Sequence, residues 1–352
     1  MTDQSAEPAG GTAAPPGIDP AGVLQWMLAH VGELRPPLAF QRIGHGQSNL
    51  TYRANDAGGR SWVLRRPPLG PLLPSAHDVA REYRIISALA PVGVPVPSTV
   101  GVCEDPQVTG GPFYVMQDVD GVVLKDMRAG REVSAQARAA AGRGLAETLA
   151  QIHAIDVAAA GLGDLARHEG YAERLIRRWS EQWRQTDGGE RPIVLELAER
   201  LHAGIPEQTE VALVHGDYRL DNLILGPDGS VRAVLDWELS TLGDPLADLG
   251  LLLVYTTEAG DPSRPLGASA TELPGFPTRA ELVDLYAAAS GRDVSAVPFW
   301  TALGAWKLAI VLEGVIARAR RNPVNGSDGD RFAPAVEYLV RLAARTTQQA
   351  GL

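Results

Sequence analysis

After Val119 the sequence changes texture, and that change limits the folds open to the chain. Before it, short β-like runs follow one another at Phe40–Ile43, Leu50–Ala54, Trp62–Arg66, Thr99–Cys103 and Phe113–Val119. The first three are joined by a glycine-containing loop at Gly44–Asn49 and a turn at Asn55–Gly59, which is the pattern of a meander. Two helices interrupt the strands. Asp19 and Pro20 supply the cap and first position of one, with Val23, Met27 and Val31 at helical spacing. The other runs over Asp78–Leu89 and is stopped by Pro91. After Val119, long helical stretches take over. Ser134 caps one that reaches about His153, and Tyr171–Trp183 and Ile193–Ile205 follow. Thr278 to Glu281 is a capping box, and Phe299–Ala319 is apolar on nearly every face, as a buried helix would be. The expectation is an α+β fold of two unequal lobes: an antiparallel-sheet lobe over 18–118 and a larger, mainly helical lobe over 119–352. The Ala, Gly and Pro bias of 1–17 reads as a disordered tail.

Composition narrows the function. Of the 352 residues, 42 are acidic and 32 basic, a net charge of −10 that argues against binding nucleic acid or an anionic membrane and would suit a cationic substrate. The single cysteine, Cys103, excludes an internal disulfide framework and any multi-cysteine zinc site, and it fits a reducing compartment. Met1–Gly17 has neither the basic start nor the apolar core of a secretory signal. The strongly apolar runs Leu249–Tyr255 and Leu308–Leu312 fall short of the ~20 residues a membrane span needs. The sequence therefore reads as a soluble, cytoplasmic chain with no nucleic-acid or membrane partner.

The densest polar cluster is His215-Gly216-Asp217-Tyr218-Arg219-Leu220-Asp221-Asn222. A strand-like run, Val211–His215, enters it, and Leu223–Leu225 leaves it. A turn at Pro227-Asp228-Gly229 leads to Ala233–Asp236. Two strand ends thus offer Asp217, Asn222 and Asp236. Hard oxygen donors suit Mg²⁺, which takes few protein ligands and completes its shell with phosphate and water. Asp217 can accept a hydroxyl proton while Asn222 and Asp236 hold the metal. A polar turn with capping Asp and Asn is the plain alternative.

His215–Asn222 and Leu235-Asp236-Trp237 together resemble the catalytic-loop and metal-loop pair of the aminoglycoside phosphotransferase family, within the protein-kinase-like superfamily. The pattern H-G-D-x-x-x-x-N is matched without a gap. Gly243–Leu249 resembles the segment that follows in that family. The resemblance runs from about Phe40 to Tyr255 and is faint in the last hundred residues. It implies a bilobal protein-kinase-like fold that binds ATP with Mg²⁺ in the cleft between the lobes.

Other parts follow from the resemblance residue by residue. Gly44, Gly46, Ser48 and Asn49 would form a phosphate-covering loop, the glycines letting amides approach phosphate oxygens. Arg65 stands where kinases usually place Lys; strand alternation puts it on one face with Val63, joining an adenine wall to a phosphate cation. A solvated edge position fits Arg66 better. Glu82, on the next helix, is the expected partner of Arg65, the alternative being a solvent-exposed Glu beside Arg81 and Arg84. Met116-Gln117-Asp118-Val119 resembles the hinge, where Gln117 and Val119 would contact adenine through the backbone. Asp248 would hold the catalytic loop by accepting backbone N–H bonds. Arg219 and Asp221 are left between substrate and solvent. His153 and Cys103 read as buried, and Trp237 as a packing residue.

These features imply a transferase that moves the γ-phosphoryl group of ATP to the hydroxyl of a small molecule. The runs Gly46–Tyr52, Val63–Pro68 and Leu235–Glu238 are most similar to the kinase-like domains associated with acyl-CoA dehydrogenases, which implies a hydroxyacyl-CoA acceptor. An aminoglycoside or other hydroxylated amine is the alternative acceptor. A nucleotide-binding pseudokinase is the alternative of another class, kept open by Arg65.

Overall fold

The Asp19 carboxylate accepts the amide of Ala21 at 3.0 Å and starts α1 (Pro20–His30) where the sequence places it. The computed structural model describes residues 14–44, 49–70, 78–167, 169–186, 191–261, 269–321 and 329–351. The chain divides into two compact units, Met1–Ser87 with Pro97–Asp118, and Ala88–Val96 with Val119–Leu352. The segment 88–96, placed in the first lobe by sequence, therefore belongs with the second unit.

The first unit is built on five antiparallel strands: β1 (Ala39–Ile43), β2 (Leu50–Asn55), β3 (Ser61–Arg66), β4 (Thr99–Cys103) and β5 (Phe113–Gln117), in the order β1-β2-β3-β5-β4. Alternation gives the sheet two faces. Leu50, Tyr52 and Ala54 of β2, Trp62 and Leu64 of β3, and Phe113 and Val115 of β5 form one core with Val23 and Met27 of α1. The opposite face carries Val63 and Arg65, with Arg65 in register with Thr51 and Tyr114. Tyr83 of α2 (Val79–Leu89) lies 6.2 Å from the Tyr114 ring on that side.

Two expectations are corrected here. Arg66 is not a solvated edge residue: β3 is the central strand and Arg66 is buried, its Nη1 donating to the Thr109 carbonyl at 3.0 Å. Burial lowers its pKa. Thr109 ends a short helix, α3 (Pro106–Thr109), which the sequence reading passed over. Residues 14–17, expected in a disordered tail, are also placed against the first unit. Tyr52 donates to the Pro16 carbonyl at 2.6 Å and Thr109 to that of Gly17 at 2.9 Å, tying these residues to the sheet. The rest of the expected tail, 1–13, lies outside the described residues.

The second unit is mainly helical. It contains α4 (Met127–Arg131), α5 (Ala135–His153), α6 (Tyr171–Gln185), α7 (Pro192–Ala203), α8 (Leu246–Tyr255), α9 (Arg279–Ser290), α10 (Val297–Arg321) and α11 (Ala333–Gln349). Ser134 caps α5, and the Thr278–Glu281 capping box is formed at α9. Between α7 and α8 lie two small antiparallel pairs, β6 (Ala212–Val214) with β9 (Thr241–Gly243), and β7 (Leu223–Leu225) with β8 (Val231–Val234). α10 is long and apolar enough to cross a membrane, but it packs against α8 and α11 and is mostly buried within the unit. A Cβ at Gly250 of α8 would lie 2.4 Å from the carbonyl carbon of Trp300, so only glycine allows this α8–α10 approach.

Candidate active site

The second unit assembles a loop around Asp217 from three strand ends. Beyond β6, the His215 and Gly216 amides donate to Asp248 Oδ2 and Oδ1 at 2.6 and 2.8 Å. Asp248 opens α8 and is buried. The loop-holding acid expected from the sequence is thus in that position. Burial alone would raise the Asp248 carboxyl, but the His153 hydrogen bond, the nearby histidines and the Gly216 amide hold it below the usual carboxylate range. His153, at the end of α5, lies with Nε2 3.2 Å from Asp248 Oδ2 and Nδ1 2.7 Å from the Tyr286 hydroxyl. A carboxylate only accepts, so Nε2–H donates to Asp248 and Nδ1 accepts from Tyr286. Burial pushes the His153 imidazole pKa down despite Asp248.

His215 spans the loop. Its Nε2 donates to the Leu235 carbonyl at 2.9 Å, and its Nδ1 accepts the Asp217 amide at 3.3 Å. Gly216 takes a φ of +86°, and a Cβ there would lie 2.7 Å from the Leu239 carbonyl oxygen. Both a left-handed backbone and a close approach therefore require glycine.

Asn222 donates through Nδ2 to the Asp217 carbonyl at 2.8 Å and to its carboxylate at 3.2 Å. The β7–β8 register sets Leu223 opposite Val234, and the Leu235 amide donates to the Asn222 carbonyl at 2.9 Å. The hairpin therefore brings Leu235, the residue before Asp236, against Asn222. Asp236 has a φ of +67°, a strained conformation for a residue with a Cβ and one that clusters at functional sites. Trp237 beside it is fully buried, as expected of a packing residue.

The structure also places the residues left open by the sequence. Arg219 Nη2 meets Asp221 at 2.8 Å, its Nε lies 3.6 Å from Asp217, and its guanidinium sits 4.9 Å from the centre of the Tyr255 ring. Burial raises the Asp221 carboxyl, with Arg219 opposing it. Burial and the Asp217 charge push the Tyr255 phenol well up. Sequence reading missed Tyr255, which closes an apolar helix and has no local polar signal.

In the first unit, Arg65 Nε lies 3.1 Å from Glu82 Oε2, with side-chain exposures of 12% and 1%. The solvent-exposed alternative for Glu82 is thereby excluded. Gly44 follows β1 with a φ of +75° and open space around it. Asn49 is buried immediately before β2, while Gly46 and Ser48 lie outside the described residues. Gln117 ends β5 and donates its amide to the Ser98 carbonyl at 2.8 Å. Val119 begins the main stretch of the second unit.

A sheet-bearing unit with an Arg–Glu pair, and a helical unit that carries Asp217, Asn222 and Asp236, make up a kinase-like α+β fold. Residues 39–282 match the model of the phosphotransferase enzyme family, and the chain belongs to that family. Acyl-CoA dehydrogenase family member 10 of Mus musculus is 36% identical over 312 residues, covering 87% of this chain. The chain spans 29% of that relative's length. A crystal structure from Ralstonia eutropha JMP134, provisionally named an aminoglycoside phosphotransferase, is similar at 30% identity and a TM-score of 0.80, over 94% of this chain and 98% of that one. Spectinomycin phosphotransferase, in complex with ADP and spectinomycin, shares the fold at 13% identity and a TM-score of 0.60, over 94% of this chain and 99% of its own.

Proposed function

We propose that this chain transfers the γ-phosphoryl group of ATP to the hydroxyl of a small molecule. The observation that carries the reading is the Asp217–Asn222 pair, on a loop held by Asp248 and bonded through the Asn222 carbonyl to Leu235, the residue before Asp236. Asp217 accepts the proton as the hydroxyl oxygen attacks phosphorus. The bond from phosphorus to the bridging oxygen breaks, and ADP leaves. Arg65, oriented by Glu82, meets the phosphates together with the loop Gly44, Gly46, Ser48 and Asn49, and the backbone at Gln117 and Val119 contacts adenine.

The donor set fits Mg²⁺. Both hydrogen bonds of the Asn222 side chain to Asp217 are made by Nδ2, which leaves the carboxamide oxygen for a cation, and Asp236 adds a carboxylate. No group of three or more His, Cys, Asp or Glu that could hold a metal occurs among the described residues. Two oxygen donors suit an ion that arrives with phosphate and water rather than one caged by protein. When bound, Mg²⁺ supplies charge neutralisation on the transferring phosphate.

For the acceptor we propose a hydroxyacyl-CoA. The acyl-CoA dehydrogenase names of the relatives support it. An aminoglycoside or other hydroxylated amine is the second reading, favoured by the net charge of −10. ADP release with Mg·ATP and each acceptor class in turn separates them. Release stimulated by hydroxyacyl-CoA alone supports the first reading, and release stimulated by amines alone replaces it.

A further inference from the structure

α10 is apolar from Val297 to Ala317 apart from Thr301 and two charged residues, Lys307 and Glu313. Lys307 stands between fully buried Trp306 and nearly buried Leu308. It shares one helix face with Leu303 and Gly304, and that face closes a cavity with room for a single water, whose wall includes Tyr171, Gly216 and Asp248. Its Nζ lies 3.5 Å from the Gly216 carbonyl oxygen, at the long end of hydrogen-bond range.

That carbonyl belongs to the peptide group leading into Asp217. The N–H of the same peptide donates to His215 Nδ1 at 3.3 Å, and the preceding N–H donates to Asp248 at 2.8 Å. The backbone entering Asp217 is thus gripped at its amides by His215 and Asp248 and approached at its carbonyl by Lys307. We propose that Lys307 is a positioning residue for Asp217: its ammonium group holds the Gly216 carbonyl and fixes the direction in which the Asp217 side chain leaves the loop. The proposal rests on the reading of Asp217 as proton acceptor.

Stability does not explain a lysine here. Lys307 is half-buried, and an ammonium that gives up part of its hydration gains little for folding over an apolar residue of similar length. Burial lowers the Lys307 pKa, with Arg178 acting in the same direction, while the charges of Asp217 and Asp248 oppose them. The group that the ammonium reaches is the Gly216 carbonyl. Lys307 also lies beyond the stretch matched by the family, 39–282, so no motif points to it.

The test compares wild type with Lys307→Met in the full chain. The expected result is a 10- to 100-fold fall in kcat, a nucleotide Kd within twofold, and a melting temperature that stays level or rises. Lys307→Arg, which keeps a cation, should recover part of the loss. In an Asp217→Asn background, Lys307→Met should cost residual turnover less than twofold. A kcat within twofold of wild type overturns the proposal, as does a full loss in the Asp217→Asn background. Amide exchange of the peptide spanning residues 212–217 decides the case without turnover. It should rise at least fivefold in Lys307→Met, and unchanged exchange overturns the proposal. Absence of wild-type turnover with every acceptor would count against the reading of Asp217, leaving exchange to judge Lys307. If Lys307→Met does not fold, Lys307→Gln carries the same comparisons.

Discussion

The Asp248 carboxylate accepts the Gly216 amide at 2.8 Å, one residue before Asp217, and so ties the exit of β6 to the first turn of α8. Asp248→Asn puts an NH₂ group where one of the two backbone amides, or His153, now donates. We expect a stability loss of about 3 kcal/mol, the cost of unpaired buried polar groups, read from the urea midpoint. The folded Asp248 pKa lies below its unfolded value. Its contribution is therefore present above the unfolded carboxylate range, near about 4, and is lost as pH falls through the folded value. Asp248→Asn should flatten the acid limb of the stability curve.

Two glycines separate backbone strain from crowding. Gly216→Ala meets a φ of +86° and the Leu239 carbonyl at 2.7 Å, whereas Gly44→Ala meets a φ of +75° in open space. The first should cost about 3 kcal/mol and the second about 1 kcal/mol. Equal thermal shifts for the two variants would contradict this assignment.

Asp244 gives a pH dependence of the opposite sign. Burial raises its carboxyl to about 6. The folded value lies above the unfolded one, so stability is full below about 4 and declines as pH rises through 6. Asp244→Asn keeps an oxygen for the Leu246 amide, which Asp244 accepts at 2.9 Å. It should stabilise the protein at pH 8 by about 2 kcal/mol and change little at pH 4. Chemical denaturation at the two pH values checks this.

Glu82 is buried and meets the Arg65 guanidinium, so Glu82→Ala removes a carboxylate from a largely desolvated cation in the first unit. We expect about 3 kcal/mol of destabilisation and at least a tenfold rise in nucleotide KM. Arg65→Lys keeps the charge but loses the planar fork, and should raise nucleotide KM by a smaller factor. Urea midpoints and nucleotide saturation curves measure both.

Much of this was legible because it is local. Asp19, Ser134 and Thr278 announce helix starts through their own side chains, and strand alternation is enough to separate Arg65 from Arg66. The loop from His215 to Asn222 is contiguous, so its chemistry can be read in one line. What escaped depends on distant chain. Arg66 is buried because Thr109 and the residues before α1 cover its face of the sheet. Tyr255 and Lys307 reach the Asp217 loop from α8 and α10, each within an apolar run that gives no local sign of the contact. The left-handed backbone of Asp236 is set by the β7–β8 hairpin and the turn after it, and neither residue type nor spacing encodes it.

The central claim is phosphoryl transfer through Asp217. Mass spectrometry of reactions containing Mg·ATP and a panel of hydroxyacyl-CoAs, aminoglycosides, choline and sugars tests it most directly, with Asp217→Asn alongside. The account predicts one acceptor class heavier by a single phosphoryl group with wild type and unchanged with the variant. An equal yield of phosphorylated product from Asp217→Asn would contradict it, as would ATP binding with no product from any member.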